Sequence, residues 1–281
     1  MISKDDILRR HNMWETVLNQ VHGFFHSRGY IHFRTPLLVK TPGMEPNLDP
    51  FVTRLSVSNP EIEDQDLGLI TSPEYAMKKL FGAGFEKIYT ITPVFRNAES
   101  IGPHNTPQFT MLEWYGPGDY KDCMDETEAL VNLVMGWDGP WSRIKFGEAD
   151  VDEHGDPKMA QELDRFFLYD YPPDQAALAR LTPDGRHAER FEGFVHGIEL
   201  CNGFSELTDP AEQRRRFESE QEERRAAGKH VFPIDQELLE ALGMIKRPVY
   251  GNALGLDRLV MLRYGIGDIK DIQLFPHAFT K

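Results

Sequence analysis

From Ile7 onward, Trp14, Val17, Leu18, Val21, Phe24 and Phe25 recur at the three- and four-residue spacing of one helical face. Ser3 or Asp5 is placed to cap the start of that helix and Gly29 to close it. Tyr30 to Phe33 then reads as a strand stopped by Thr35-Pro36, because proline cannot donate to a sheet ladder and restricts the residue before it. Residues 41–49 hold Pro42, Gly43 and Pro46 and predict a loop over a pocket. A helix opens at Ser72-Pro73-Glu74, with an early proline and an acid in the first turn, runs through Met77, Leu80 and Phe81, and ends at Gly82 and Gly84. Strands over 88–96 and 109–115, joined by a polar loop with Gly102, Pro103 and Pro107, predict an antiparallel hairpin with a long connection.

Further along, 125–135 reads as helix and 147–158 as an acidic, mobile excursion. Asp150, Asp152, Glu153 and His154 crowd that excursion without a supporting shell, which favours solvated surface over metal ligation. Asp209-Pro210 supplies a cap and a first-turn proline to a charged helix that Gly228 closes, and 235–243 repeats the logic in miniature. The basic stretch from Arg214 to Arg225 is interleaved with glutamates and reads as a solvated face laced with ion pairs. With no internal repeat and no long low-complexity linker, residues 1–281 are expected to form a single domain.

Composition narrows the class. At 40% hydrophobic and 27% charged residues the chain is that of an ordinary soluble globular protein. No run approaches the ~18 apolar residues of a membrane span, and the N-terminus lacks a secretion-signal layout, so the expected location is cytoplasmic. A formal charge of −14 weighs against a broad nucleic-acid surface, which depends on Lys and Arg neutralising phosphates. Cys123 and Cys201 form neither a disulfide framework nor a metal knuckle.

Candidate chemistry is concentrated in three segments. In the strand over 109–115 the two-residue period puts Phe109, Met111, Glu113 and Tyr115 on one face. A carboxylate among aromatics needs a cation, and from the residues alone Glu113 meets either a protein Lys or Arg or a ligand ammonium. Arg96 closes the preceding strand, where a guanidinium can hold phosphate and carboxylate together as charge accumulates on oxygen. Glu192 and Glu199 are separated by an odd step that strict alternation sends to opposite faces, and a bulge at Gly197 would return them to one side. Two converging carboxylates suit Mg²⁺ beside ATP, since that ion favours a few carboxylates with phosphate oxygens and water. Gly255 opens Leu256-Asp257-Arg258-Leu259 as a strand entering a helix, its missing side chain allowing close approach of a ligand.

Phe95-Arg96-Asn97, Gly197-Ile198-Glu199-Leu200-Cys201-Asn202-Gly203-Phe204-Ser205-Glu206 and Gly255-Leu256-Asp257-Arg258-Leu259 resemble the signature motifs of class II aminoacyl-tRNA synthetases, most closely the lysine branch. The resemblance implies an α+β fold with an antiparallel sheet flanked by helices, and a homodimer built on the first helix and strand. It places Arg96, His104 and Arg258 on the ATP phosphates, Phe109 against adenine, Gly255 beside the nucleotide, and Glu192 and Glu199 on Mg²⁺. It gives Glu74 the backbone-type amine, Asn202 the carboxylate region, and Glu113, Tyr115 and a free Glu206 the side-chain ammonium.

Without an anticodon-binding barrel ahead of these motifs, the chain resembles the elongation factor P lysyltransferases, which activate a lysine-type amino acid and pass it to a lysine of that factor. Thr110-Met111-Leu112-Glu113-Trp114-Tyr115 and Leu207-Thr208-Asp209 match that subgroup's wording. Ala253 stands where the tRNA enzymes resemble Gly and the lysyltransferases Ala, which implies β-lysine over α-lysine. Ala98, Pro103 and the longer Asn105-Thr106-Pro107-Gln108-Phe109 depart from the usual wording in the ATP loop. A ligase serving tRNA or a small molecule, and a non-catalytic amino-acid-binding dimer, are the competing readings; the missing barrel and acidic charge disfavour tRNA, and the full set of ATP-facing charges disfavours the regulator.

Overall fold

The computed structural model describes residues 2–56, 58, 64–152, 157–158, 162–176 and 178–276. Its first helix, α1 (Lys4–Ser27), is capped by the Ser3 side chain, which accepts from the Asp6 amide, and the chain turns at Gly29 with φ +79°. Met13 joins the expected Val17, Val21, Phe24 and Phe25 in the core, while Trp14 and Leu18 pack at its margin. Strand β1 (Ile31–His32) is shorter than expected, its last sheet bond running from the Phe33 amide to the Tyr89 carbonyl at 2.9 Å just before Thr35-Pro36. β2 (Leu38–Val39), β3 (Val52–Leu55) and β4 (Gln65–Leu69) make a small three-stranded sheet, and α2 (Glu74–Gly82) follows with Pro73 at its cap.

β5 (Ile88–Phe95) and β6 (Gln108–Pro117) form the expected hairpin. α3 (Tyr120–Met135) starts earlier than the hydrophobic pattern indicated, because Asp119 and Asp122 make a reciprocal capping box. β7 (Ser142–Lys145), β8 (Arg165–Tyr171), β9 (Ala188–Val195) and β10 (Ile198–Ser205) precede α4 (Pro210–Ala226) and α5 (Gln236–Met244), whose caps are Asp209 and Asp235. β11 (Val249–Gly255) runs directly into α6 (Leu256–Tyr264). Of the acidic excursion, Glu153 and His154 lie outside the described residues, and Asp150 pairs with Lys158 at 2.8 Å.

The main sheet has the order β1-β5-β6-β11-β10-β9-β8-β7. It is antiparallel from β5 through β8, as expected for this fold class, with a parallel strand added at each end. α1, α3 and α6 cover one face and bury the largest core, around Trp114, Leu254 and Val260. The other face is left open at the centre of the sheet, with α2, α4 and α5 packed around its rim on Met77, Phe217, Leu239 and Leu242. That uncovered centre is where the candidate residues converge.

Candidate active site

One register row crosses four strands and carries the site. Glu113 on β6 lies opposite Ala253 on β11, Ala253 opposite Asn202 on β10, and Asn202 opposite Glu192 on β9. Directly paired residues of antiparallel strands share a face, so all four point into the open side. The adjacent row repeats this with Tyr115, Gly251, Phe204 and Arg190. Together they floor a cavity of ≈ 500 Å³ that Glu74, Arg96, His104, Phe109, Glu199, Glu206, Gly255 and Arg258 also line. Every candidate residue read from the sequence therefore reaches a single pocket.

The route by which Glu192 and Glu199 meet differs from the expectation of one bulged strand. They sit on successive strands joined by a two-residue turn, His196-Gly197, both with positive φ (+48° and +77°). Two consecutive positive φ values match the right-handed twist of a hairpin, so this sequence reverses the chain where a bulge was expected. A bulge does occur, between Glu199 and Cys201. Its extra residue brings Glu199 onto the same face as Asn202, Phe204 and Glu206.

At one end of the cavity the charges are mostly carboxylates. The Ser72 hydroxyl donates to Glu113 Oε2 at 2.6 Å and the Tyr115 hydroxyl to Glu113 Oε1 at 2.9 Å. Burial, reinforced by the nearby Glu74, pushes the Glu113 carboxyl up to about 8 against the pull of those hydrogen bonds and of Lys78. Glu206 is not free, contrary to the sequence reading: Lys78 Nζ lies 2.7 Å from its Oε2 and 2.5 Å from Glu74 Oε1. Lys78 is not among the residues expected from the sequence, although its i,i+4 spacing from Glu74 on α2 is a helix-pair signal. Burial also raises Glu206 to about 8, Lys78 opposing and Glu74 adding to it. For Lys78 burial alone lowers the pKa, but Glu206 and Glu74 outweigh it and hold the ammonium above the ordinary lysine value. Gly251, also unforeseen, has no room for a Cβ, which would overlap Glu206 Oε1 and the Tyr115 ring.

Cations gather at the other end. The Arg96 guanidinium lies 5.2 Å from the Phe109 ring centroid and 3.8 Å from Glu99. Arg258 donates to the His104 carbonyl at 3.3 Å, to the Asn105 side-chain oxygen at 2.7 Å and to the Glu199 carbonyl. The loop between β5 and β6 is thus fastened to Arg258, and Ala98 takes a positive φ of 57° within it. Gly255 has φ −69° and an added Cβ would make only ordinary contact with Arg258, so neither turn geometry nor internal packing demands glycine there. Glu192 pairs with Arg190 at 2.6 Å, and Glu199 approaches Arg258 at 3.7 Å. Crowding by the surrounding protein and the charge on Glu192 push the Glu199 carboxyl above the ordinary glutamate value, although its side chain is 45% exposed.

A buried acidic end joined to a cationic end fits a substrate with ammonium groups at one end and phosphates at the other. Comparison with known proteins agrees. The family model for tRNA synthetases class II (D, K and N) matches residues 2–278. The chain belongs to the class II tRNA synthetase family. Among its relatives is a protein from Vibrio atlanticus named elongation factor P–(R)-β-lysine ligase, 36% identical over 304 aligned positions covering 92% of this chain and 93% of the relative. Proteins of the same name from Salmonella paratyphi A and Erwinia tasmaniensis are 35% and 37% identical, each alignment covering 92% of both chains. In class II terms, β5 and β6 with their loop are the second signature motif, and β11 with α6 the third.

Proposed function

We propose that this protein uses ATP to activate a lysine-type amino acid as its aminoacyl-adenylate, and transfers the aminoacyl group to a lysine of elongation factor P. The single observation that carries the reading is the row Glu113, Ala253, Asn202, Glu192, which crosses one sheet face between the carboxylates Glu74, Glu113 and Glu206 and the guanidiniums Arg96 and Arg258. The names of relatives that align over nearly their whole length support the choice of acceptor. The same names support β-lysine as the amino acid, whose chain would lie along Ala253, between Glu113 and Asn202.

In this reading Glu74, Glu113 and Glu206 hold the substrate's ammonium groups while Asn202 lies beside its carboxyl group. The carboxylate attacks the α-phosphorus of ATP, a P–O bond forms as the bond to pyrophosphate breaks, and Arg96 neutralises the oxygens that gain charge. Arg258 and His104 hold the outer phosphates, and Phe109 offers its ring to adenine. The acceptor amine then attacks the carbonyl carbon and AMP leaves with the carboxyl oxygen. Glu192 and Glu199 fit Mg²⁺: they are hard oxygen donors lining the same cavity, and an added cation would relieve the repulsion between their two charges. Bound there, the ion would neutralise phosphate charge.

Two further parts of the reading concern assembly and place. α1 and β1 are proposed as the contact between two copies, which accords with β1 lying at the sheet edge with Ile31 half exposed. A cytoplasmic location accords with an acceptor that serves translation; among the described residues no helix is long and apolar enough to cross a membrane. tRNA is disfavoured as acceptor by the charge of −14. Incubating the protein with ATP, Mg²⁺, (R)-β-lysine, purified elongation factor P and total tRNA tests the transfer. The expected result is a mass increase of one lysyl unit on that factor, absent without ATP; an unmodified factor alongside aminoacylated tRNA would favour the tRNA reading.

A further inference from the structure

The loop over the cavity, residues 41–49, carries a carboxylate that the roles above do not use. Glu45 lines the cavity, and its Oε2 is sealed from solvent with no hydrogen-bond partner among the described residues. The position is built. A Cβ on Gly43 would come within 2.8 Å of that oxygen and 2.9 Å of Thr71 Oγ1, so glycine there leaves the slot into which the carboxylate fits. Arg224, which the sequence reading assigned to a solvated helix face, is 1% exposed and donates to the Glu45 carbonyl at 2.9 Å and the Leu48 carbonyl at 2.8 Å. Lys229 holds the Pro46 carbonyl at 2.7 Å and Asp49 at 3.0 Å. The loop backbone is therefore fixed and the aim of Glu45 is set by it.

What faces Glu45 is mostly negative. Burial first and then Glu74 push its carboxyl above the ordinary glutamate value; its own backbone amide, Arg96 and Lys78 oppose them. Tyr75 and Glu220 are also neighbours of Glu45, and Glu220 is itself raised to about 8 by burial and by Glu45. Lys78 is already committed to Glu74 and Glu206, and Arg96 to Glu99 and the Thr71 carbonyl. An unpartnered buried acid beside a second acid calls for a cation from outside the protein. The loop is joined to the chain at Arg96, since the Asn97 amide donates to the Asp49 carbonyl at 2.7 Å and Arg96 donates to the carbonyl of Thr71, whose hydroxyl borders the Gly43 slot; this sets Glu45 toward the Arg96 end of the cavity.

We infer that Glu45 is a specificity-determining residue that joins Glu74 in holding the amine nearest the reacting carboxyl group of a diamino acid, with Arg224 and Lys229 as the residues that position it. The inference rests on reading this cavity as the amino-acid site. It gives the enzyme a way to prefer substrates that carry an amine near the carboxylate over those that carry only the distal one.

Calorimetric binding of (R)-β-lysine and of 6-aminohexanoate, which keeps the distal amine and lacks the near one, tests this on wild type, Glu45→Gln and Glu45→Asp, with ATP affinity and thermal midpoint measured on the same samples. Glu45→Gln is expected to weaken (R)-β-lysine by about 10- to 100-fold, the scale of one charge-assisted hydrogen bond. 6-Aminohexanoate and ATP should stay within about 2-fold, and Glu45→Asp should recover part of the loss by restoring the charge. Equal losses for both amino acids, or no loss for (R)-β-lysine, would overturn the role of Glu45. Wild type that binds (R)-β-lysine but never forms an adenylate would overturn the ligase reading and leave the Glu45 comparison intact; wild type that binds neither amino acid would overturn both.

Discussion

Lys78 Nζ lies 2.7 Å from Glu206 Oε2, in contact that is almost wholly sealed from water, and the same ammonium reaches Glu74. The acidic end of the cavity thus contains its own cation, and under the proposed function a substrate ammonium would meet the acidic charge left over. Glu45, Glu74, Glu113 and Glu206 together exceed Lys78. That excess favours a ligand with two ammonium groups over one with a single amine.

Replacing Lys78 with Met should be severe. It removes the cation and leaves Glu74 and Glu206 facing each other in a buried site, and breaking such a pair costs about 3–5 kcal/mol. Urea unfolding should show a lower midpoint with an unchanged slope. An unchanged midpoint would mean that the ion pair is not structural.

The raised carboxyls set a pH dependence. Glu113 and Glu206 have folded values of about 8 against an ordinary 4.5, so the folded state keeps protons that the unfolded state has already released. Their contribution to stability is fully present below 4.5 and is lost as pH rises through about 8, so the ligand-free protein should lose stability across that window. A dicationic amino acid favours the ionised carboxylates and should expel those protons, so its affinity should increase with pH over the same range. Calorimetry in buffers of different ionisation enthalpy reads the release directly, and an affinity independent of pH would contradict it.

Gly251→Ala should disable the amino-acid site while leaving the fold. The new methyl would overlap Glu206 Oε1 and the Tyr115 ring, an overpacking that costs about 1–3 kcal/mol. KM for the amino acid should rise with KM for ATP little changed, which steady-state exchange kinetics would show.

Much of this site was legible because its residues lie on strands with plain alternation. The face of Phe109, Met111, Glu113 and Tyr115 follows from the two-residue period alone, and the structure keeps it. The junction of Glu192 and Glu199 was misread because a bulge and a tight turn both use glycine, and only the positive φ of His196 beside Gly197 distinguishes them. Lys78 and Arg224 escaped for another reason: both are charged residues on helices, where solvent is the default partner. A periodicity clue existed for Arg224, since Gln213, Phe217 and Arg224 share the buried side of α4.

Arg224→Met should free the loop above the pocket. Its lost bonds strand the Glu45 and Leu48 carbonyls, each at a cost of about 1–3 kcal/mol when buried. Hydrogen exchange in residues 41–49 should accelerate more than in β6, and exchange that rises equally everywhere would indicate general destabilisation instead.

Amino-acid-dependent ATP–pyrophosphate exchange, with purified protein and Mg²⁺, tests the central claim most directly. α-Lysine, both β-lysine enantiomers and the other standard amino acids are compared under one condition. Exchange confined to lysine isomers and strongest with (R)-β-lysine is the predicted result, and its loss in Arg96→Ala would tie it to this cavity. Folded protein that binds ATP yet exchanges with none of them would contradict the account.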